Sequence, residues 1–241
     1  MNRVLSTFRW DVRLQFRNGF YYVSAFVAAF IVLGLRQLPQ VDLSYWWPPL
    51  ILGNLTVNAF YFMAGLVLLE KGEGTLEAQI VTPLRTGEYL GSKVLSLGLL
   101  SLFETFAMVV LVSGVGFSWP LLAAGVLLLI ALLALYGFIV VARYDSITEF
   151  LLPSIVWTLG LSLPLLYYFN LWRSWLLFLH PLQAPLVLIQ AAFGPVPAWQ
   201  ILYGVLYGLL WTGIAYYFTQ RAFYRFVITK EGVRKKGARQ K

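Results

Sequence analysis

The chain is a series of long apolar runs interrupted by a few charged positions, and those interruptions divide it into elements. A hydrocarbon core about 30 Å thick takes about 20 apolar residues in a helix, and six runs meet that length. The pattern predicts helices over about Phe20–Leu38, Pro48–Leu69, Glu88–Ser113, Trp119–Ala142, Phe150–Phe169 and Pro197–Gln220. Pro48-Pro49 opens the second run and Glu70-Lys71-Gly72 closes it. A short Gly-rich turn joins the third and fourth into a helical hairpin, and Arg36 near the end of the first can snorkel. Residues 174–196 are also apolar, but Pro181, Pro185 and Pro195 each remove a backbone donor. That stretch reads as a re-entrant hairpin of two half-helices, tolerated only where protein buries its backbone.

Ahead of the first run, Arg3, Arg9, Asp11, Arg13 and Arg17 are interspersed with Val4, Leu5, Phe8, Val12, Leu14 and Phe16. This spacing predicts an amphipathic helix over residues 1–18 on the inner membrane surface, not a cleaved signal. Composition agrees: 60% of residues are hydrophobic and 12% charged, too little polarity to cover a soluble domain. The fold class expected is an all-α integral membrane protein with six transmembrane helices, an interfacial N-terminal helix and a re-entrant hairpin before the last span.

The formal charge of +8 enters through its distribution. With six spans, all cations except Arg36 and Arg173 fall on one side, and a seventh span would move the C-terminal cations across. The positive-inside bias therefore puts both termini in the cytoplasm of a plasma or inner-membrane protein. Trp46, Trp47, Trp119, Trp172, Trp175 and Trp199 fall at the outer ends, where indoles gather. The cations flank spans, so the partner they imply is the lipid bilayer and not nucleic acid. No repeat of 20–50 residues is present, which leaves one membrane domain over 1–220 and a basic tail over 221–241 facing anionic lipid.

Candidate chemistry is sparse. The chain has no cysteine, which excludes disulfides, thiolate metal sites and thiol nucleophiles. Gly87-Glu88-Tyr89-Leu90-Gly91-Ser92-Lys93 has the wrong spacing and order for a phosphate loop, and there is no Gly-x-Ser-x-Gly elbow. The lone His180 precedes Pro181 at a helix-breaking corner without further donors, so neither a metal site nor a catalytic residue is expected.

Within the spans, Glu104 lies eleven residues beyond Lys93, about 16 Å along the helix and near the midplane. Asn58 reaches a similar depth on the second span with Asn54 one turn away, so the three are expected to form a polar layer. Structural hydrogen bonding by a protonated Glu104 and direct handling of a solute or proton are both open. Gly204 and Gly208 form a small-x-x-x-small pair suited to close packing, with subunit dimerisation as one use of it. Arg143, Asp145 and Glu149 make a short inner loop that is either a contact for a soluble partner or a solvated turn.

Acidic residues concentrate in the loop over residues 70–89. Gly72 and Gly74 end the second span, Thr75 can cap a short helix carrying Leu76 and Ile80, Pro83 stops it, and Thr86 can cap the third span. The element reads as a solvated connector or as a docking helix for a soluble partner.

The string Leu69-Glu70-Lys71-Gly72-Glu73-Gly74-Thr75-Leu76-Glu77, with Thr82-Pro83-Leu84, Glu88-Tyr89 and Lys93, resembles the segment after the second helix in ABC-2 type transporter permeases. It is most similar to the fluoroquinolone export permease subgroup and is also similar to haem-exporter permeases. The likeness extends to Asp11, Gln15, Phe16, Arg17 and Gly19-Phe20-Tyr21, the six-span count and the broken region before the last span.

That resemblance implies the permease half of an ABC exporter, which works as a dimer with a second copy or a paralogue and moves an amphipathic or hydrophobic solute, drug efflux included. It implies a separate ABC ATPase subunit that binds ATP and Mg, with no cofactor in this chain. A coupling helix would carry the ATPase contacts, at Glu73, Thr75, Leu76, Glu77 and Ile80. The alternative is a membrane enzyme or scaffold recruiting another soluble partner through the same loop.

Overall fold

A computed structural model of the chain describes residues 3–38, 42–76 and 85–229. Every regular element among these residues is helical, because in lipid a helix satisfies its backbone polar groups internally. Five helices are long and apolar enough to cross a membrane: Leu43–Gly72, Thr86–Ser113, Trp119–Val141, Ile147–Tyr168 and Ala198–Phe226. The pair Leu5–Arg17 and Phe20–Arg36, bent by 64°, brings the number to six if it is counted as one span. The protein is an all-α integral membrane protein.

Helix α1 (Arg3–Arg17) ends at Gly19, whose φ of 81° lets the chain turn into α2 (Phe20–Arg36). Two polar side chains of α1 run against the ordinary pattern of burial. Asp11 and Gln15 are its buried residues, whereas Leu5, Trp10 and Phe16 are exposed. Leu5, Trp10 and Phe16 are thus available to lipid and Asp11 and Gln15 face the protein, while Arg9, Arg13 and Arg17 stay on the exposed surface.

The second span is one 30-residue path, about 45 Å at 1.5 Å per residue. It comprises α3 (Leu43–Leu55), a π-helical segment (Thr56–Tyr61) and α4 (Phe62–Gly72). Asp42 caps it by accepting the Ser44 N–H at 3.1 Å, six residues before Pro48 rather than at the prolines. Pro49 has no N–H to offer the Tyr45 carbonyl one turn back, and Tyr168 Oη donates to that oxygen at 2.5 Å instead. In the π segment, Thr56 Oγ1 donates to the Leu52 carbonyl at 2.7 Å. Gly137 faces this segment so closely that a Cβ there would lie 2.5 Å from the Phe60 carbonyl oxygen.

Helices α5 (Thr86–Ser113) and α6 (Trp119–Val141) follow their expected boundaries closely. Arg85 precedes the first helical residue of α5, and the Glu88 carboxylate accepts its N–H at 2.9 Å, so Glu88 closes the terminus assigned above to Thr86. The fifth span is not continuous: α7 (Ile147–Leu161) is followed by a separate turn of helix, α8 (Pro164–Tyr168). Pro164 cannot donate to the Gly160 carbonyl, which takes the Leu163 N–H at 3.2 Å.

Beyond α8, the segment before the last span contains a 3-10 turn (Trp175–Leu179) and α9 (Gln183–Phe193), followed by α10 (Ala198–Ala222) and a second π-helical segment (Phe223–Thr229). Where two half-helices were expected there is one turn and one helix. Tyr203 and Tyr207 of α10 donate to the Phe178 and Leu179 carbonyls at 2.5 and 2.8 Å and hold the turn.

Helix α9 occupies the centre of the packing, against α6, α10 and α3. Eight of its eleven residues are buried. Small residues let its backbone in. A Cβ on Gly125 would lie 2.9 Å from Ile189 N, and one on Gly204 would lie 2.7 Å from Leu188 Cγ. The outer helices α7 and α10 keep large apolar side chains exposed, among them Leu152, Val156, Leu202 and Leu209, as lipid-facing surfaces do. Trp46, Trp119, Trp172, Trp175 and Trp199 are exposed. Trp47 departs from that group: it is 1% exposed and donates to Ser113 Oγ at 2.7 Å, binding α3 to the end of α5. Arg36 is exposed, and its Nη2 donates to the Leu111 carbonyl at 2.7 Å.

Candidate functional site

Two polar centres organise the protein. One sits where α1, α4 and α5 meet. Lys93, with no exposed surface, places Nζ 2.5 Å from Glu70 Oε1 and 3.1 Å from Asp11 Oδ1. The remaining carboxylate oxygens are also occupied: Ser92 Oγ donates to Asp11 Oδ2 at 2.5 Å, and Tyr89 Oη donates to Glu70 Oε2 at 2.6 Å. The ammonium also lies 4.8 Å from the centroid of the Tyr89 ring. Below it, Gln15 Nε2 donates to Ser96 Oγ at 2.7 Å. Such a network is stable only if every charge is paired, and losing one partner leaves the others stranded in low dielectric.

Glu70 stands at the end of the second span, so this lock holds the start of the acidic loop. Around it, Thr75 Oγ1 donates to the Glu70 carbonyl at 3.2 Å, and Gly74 adopts a left-handed φ of 67° to end α4. The next residue, Lys71, donates to the Ala142 and Tyr144 carbonyls at 2.9 and 2.7 Å, a cation at the C-terminus of α6 where the helix dipole favours it. Arg17 and Glu73 add an exposed pair at 3.2 Å. The loop is thereby tied to α1, α5 and α6 together.

Sequence reasoning treated these charges as flanks of spans and missed the lock. The available signal was the i, i+4 pair Asp11 and Gln15 on α1, matched by Ser92, Lys93 and Ser96 within about one turn of α5.

The second centre lies in the membrane. Glu104 of α5 is 5% exposed. Its Oε2 accepts from Ser24 Oγ and Asn58 Nδ2, and its Oε1 accepts from Asn54 Nδ2 at 3.2 Å. The structure brings Glu104, Asn54 and Asn58 together and adds Ser24 from α2. Ser24 is the sole Ser, Thr, Asn or Gln in Phe20–Arg36, and that is the signal by which it could have been found. The π segment carries Asn58, and such segments recur at functional positions because they reorient side chains within a continuous helix. All three neighbours donate, an arrangement suited to a carboxylate. Among the described residues no Lys, Arg or His pairs with it.

Beside this carboxylate, α2 and α5 enclose an open groove of about 780 Å³. Its walls are mostly apolar, with Ala25, Ala29, Phe103 and Met108 among them, and Tyr21, Ser24 and Glu104 supply its polar groups.

The other predicted positions fall differently. Glu73 and Thr75 are exposed, but Leu76 is 3% exposed and packs into the subunit's own core. Leu76 therefore anchors the loop internally, a correction to its assignment as a partner contact. Thr75 donates to the Glu70 carbonyl; the residues it was expected to cap lie outside the described ones. Glu77 and Ile80 lie outside the described residues.

Gly204 and Gly208 are covered from within the chain. Cβ atoms there would meet Leu188 at 2.7 Å and Leu128 at 2.8 Å, so this small-residue face packs the subunit and is not open to a second copy. Thr212 donates to the Gly208 carbonyl at 2.8 Å. His180 Nδ1 accepts the Leu182 N–H at 3.2 Å at the corner before α9. In the inner turn, Asp145 lies 3.7 Å from Lys71 Nζ, and Ser146 Oγ caps α7 by accepting the Glu149 N–H at 3.3 Å.

An all-α, multi-pass membrane protein with a carboxylate held at mid-span is the class that fold and site define. The chain matches the fluoroquinolones export permease protein family over residues 2–231 and belongs to that family. It is similar to the fluoroquinolones export permease proteins of Mycobacterium tuberculosis strains CDC 1551 / Oshkosh and ATCC 25618 / H37Rv. Each is 31% identical over 236 residues, covering 97% of this chain and 100% of the relative. It is thus a permease, a transport subunit and not an enzyme.

Proposed function

We propose that the chain is the permease subunit of an ATP-driven ABC exporter and forms half of a transmembrane pathway for an amphipathic or hydrophobic solute. A drug-like solute accords with the export of fluoroquinolones named for its relatives. ATP and Mg belong to a separate ATPase, and the second half of the pathway is another copy or a paralogous permease. The plasma or inner membrane with both termini cytoplasmic follows from the asymmetry of Lys and Arg.

The observation that carries this reading is the Asp11–Lys93–Glu70 lock immediately ahead of the acidic loop. A force applied to the loop by a partner would reach α1 and α5 through paired buried charges, and α6 through Lys71. Displacement on the cytosolic face would therefore move whole helices and not just a connector. Re-entry of residues 174–196 from the outer side is part of the same proposal.

Co-purification of the tagged full chain from its native membrane tests the reading. The expected result is an accompanying ATPase subunit and ATP-dependent extrusion of an amphipathic dye from cells. Stoichiometric recovery of a different soluble partner with no effect on extrusion would overturn it.

A further inference from the structure

We propose that the groove between α2 and α5 binds an amphipathic monovalent cation, whose charge is met by Glu104 and whose apolar body lies along the alanine and phenylalanine walls. The inference rests on the export reading for its physiological meaning, but not for its test.

Three observations converge. First, the carboxylate of Glu104 is held by Ser24, Asn54 and Asn58, all donors, and none of the four ion pairs of the described residues includes it. A carboxyl buried without a counter-ion is costly to ionise, and a cationic ligand offsets that cost. Second, Asn54 Oδ1 and Asn58 Oδ1 are buried without a hydrogen-bond partner. The layer around Glu104 therefore has a surplus of acceptors, the wrong composition for a second anion. Third, the groove of about 780 Å³ falls in the size range of small-molecule sites, which are mostly apolar with a few placed polar groups. Ala25 and Ala29 on α2 line it where larger residues would fill it. Both are exposed along the groove, so enlarging either fills the site without entering the subunit core. Charge complementarity at Glu104 favours the cation over an uncharged lipid chain, which the apolar walls alone would accept equally well.

The test uses the full chain in nanodiscs of phosphatidylcholine, with tetraphenylphosphonium and its isostere tetraphenylborate as probes of one shape and opposite charge. Equilibrium binding is measured above that to empty nanodiscs. The phosphonium is expected to show a saturable component that the borate lacks, and Glu104→Gln is expected to weaken it on the order of tenfold or more. Ala29→Phe is expected to weaken it as well with Glu104 in place, and this variant decides the matter if the Gln variant does not fold.

Equal saturable binding of both ions, no saturable phosphonium binding, or binding indifferent to Glu104→Gln in a folded protein would overturn the site. So would binding indifferent to Ala29→Phe. Binding that depends on Glu104 without ATP-driven export would instead sink the transporter reading and leave the site standing.

Discussion

Glu104 accepts two hydrogen bonds on one carboxylate oxygen and one on the other, and this asymmetry makes its variants informative. In Glu104→Gln the amide oxygen can keep Ser24 and Asn58, while its NH2 faces Asn54. Asn54 Oδ1 has no partner now, so rotation of that amide restores a third bond. The Gln variant should lose less than about 1 kcal/mol of stability. Glu104→Leu strands three donors and should cost on the order of 1–2 kcal/mol, moderated by the other partners polar groups find in a membrane protein. Thermal unfolding in detergent separates the two, and equal losses would contradict the hydrogen-bond account. At Lys93 the expectation is larger. Lys93→Met leaves Asp11 and Glu70 buried as like charges and should cost about 3–5 kcal/mol, whereas Arg17→Ala, which breaks only the exposed Glu73 pair, should cost about 0–1 kcal/mol. Comparable losses for the two in the same melting assay would refute the distinction.

At the scale of elements, close backbone approach sets the position of α9. Its neighbours α6 and α10 each present a glycine where a methyl group would collide. Gly125→Ala meets the Ile189 nitrogen and the Pro185 carbonyl, at 2.9 and 3.0 Å from the ideal Cβ, and backbone cannot move aside as a side-chain tip can. The variant should be destabilised by about 1–3 kcal/mol. Gly204→Ala should also lower the melting temperature, but it should leave the oligomeric state in detergent unchanged because Leu188 already covers that face. A shift from dimer to monomer on size-exclusion chromatography without loss of stability would restore the dimer role to this glycine.

For the whole molecule, the acidic loop is the proposed input and the spans are the output. Charge reversal at Glu77 combined with a polar residue at Ile80 should leave folding intact yet lower recovery of the ATPase or substrate-stimulated ATP hydrolysis. Unchanged coupling in both assays would remove the loop from this role. Topology can be read separately, since the native chain offers no cysteine to label. A single cysteine in place of the exposed Trp175 should react with an impermeant maleimide from outside, and one in place of Lys236 only after the cytosol is opened. External labelling at position 236 would invert the arrangement.

Apolar run length and the distribution of charge already determine that the chain spans a membrane several times and where most of its long helices begin and end. These are properties of a segment against its solvent, and each helix satisfies its own backbone hydrogen bonds. The approximate level of Glu104, Asn54 and Asn58 was legible for the same reason, since rise per residue converts sequence distance into depth. Tertiary structure decided what depends on which faces meet. Depth along an axis does not specify rotation about it, so the presence of Ser24 at Glu104 and the π segment that carries Asn58 required neighbouring helices. Lys93, Glu70 and Asp11 look in sequence like ordinary charges at span ends; only the packing of α1 across α4 and α5 makes them a buried network. Gly204 and Leu76 were readable as residue types but not as surfaces, because a small residue or an apolar side chain suits a partner subunit and its own core equally well, and what decides between them is the chain segment that reaches it first.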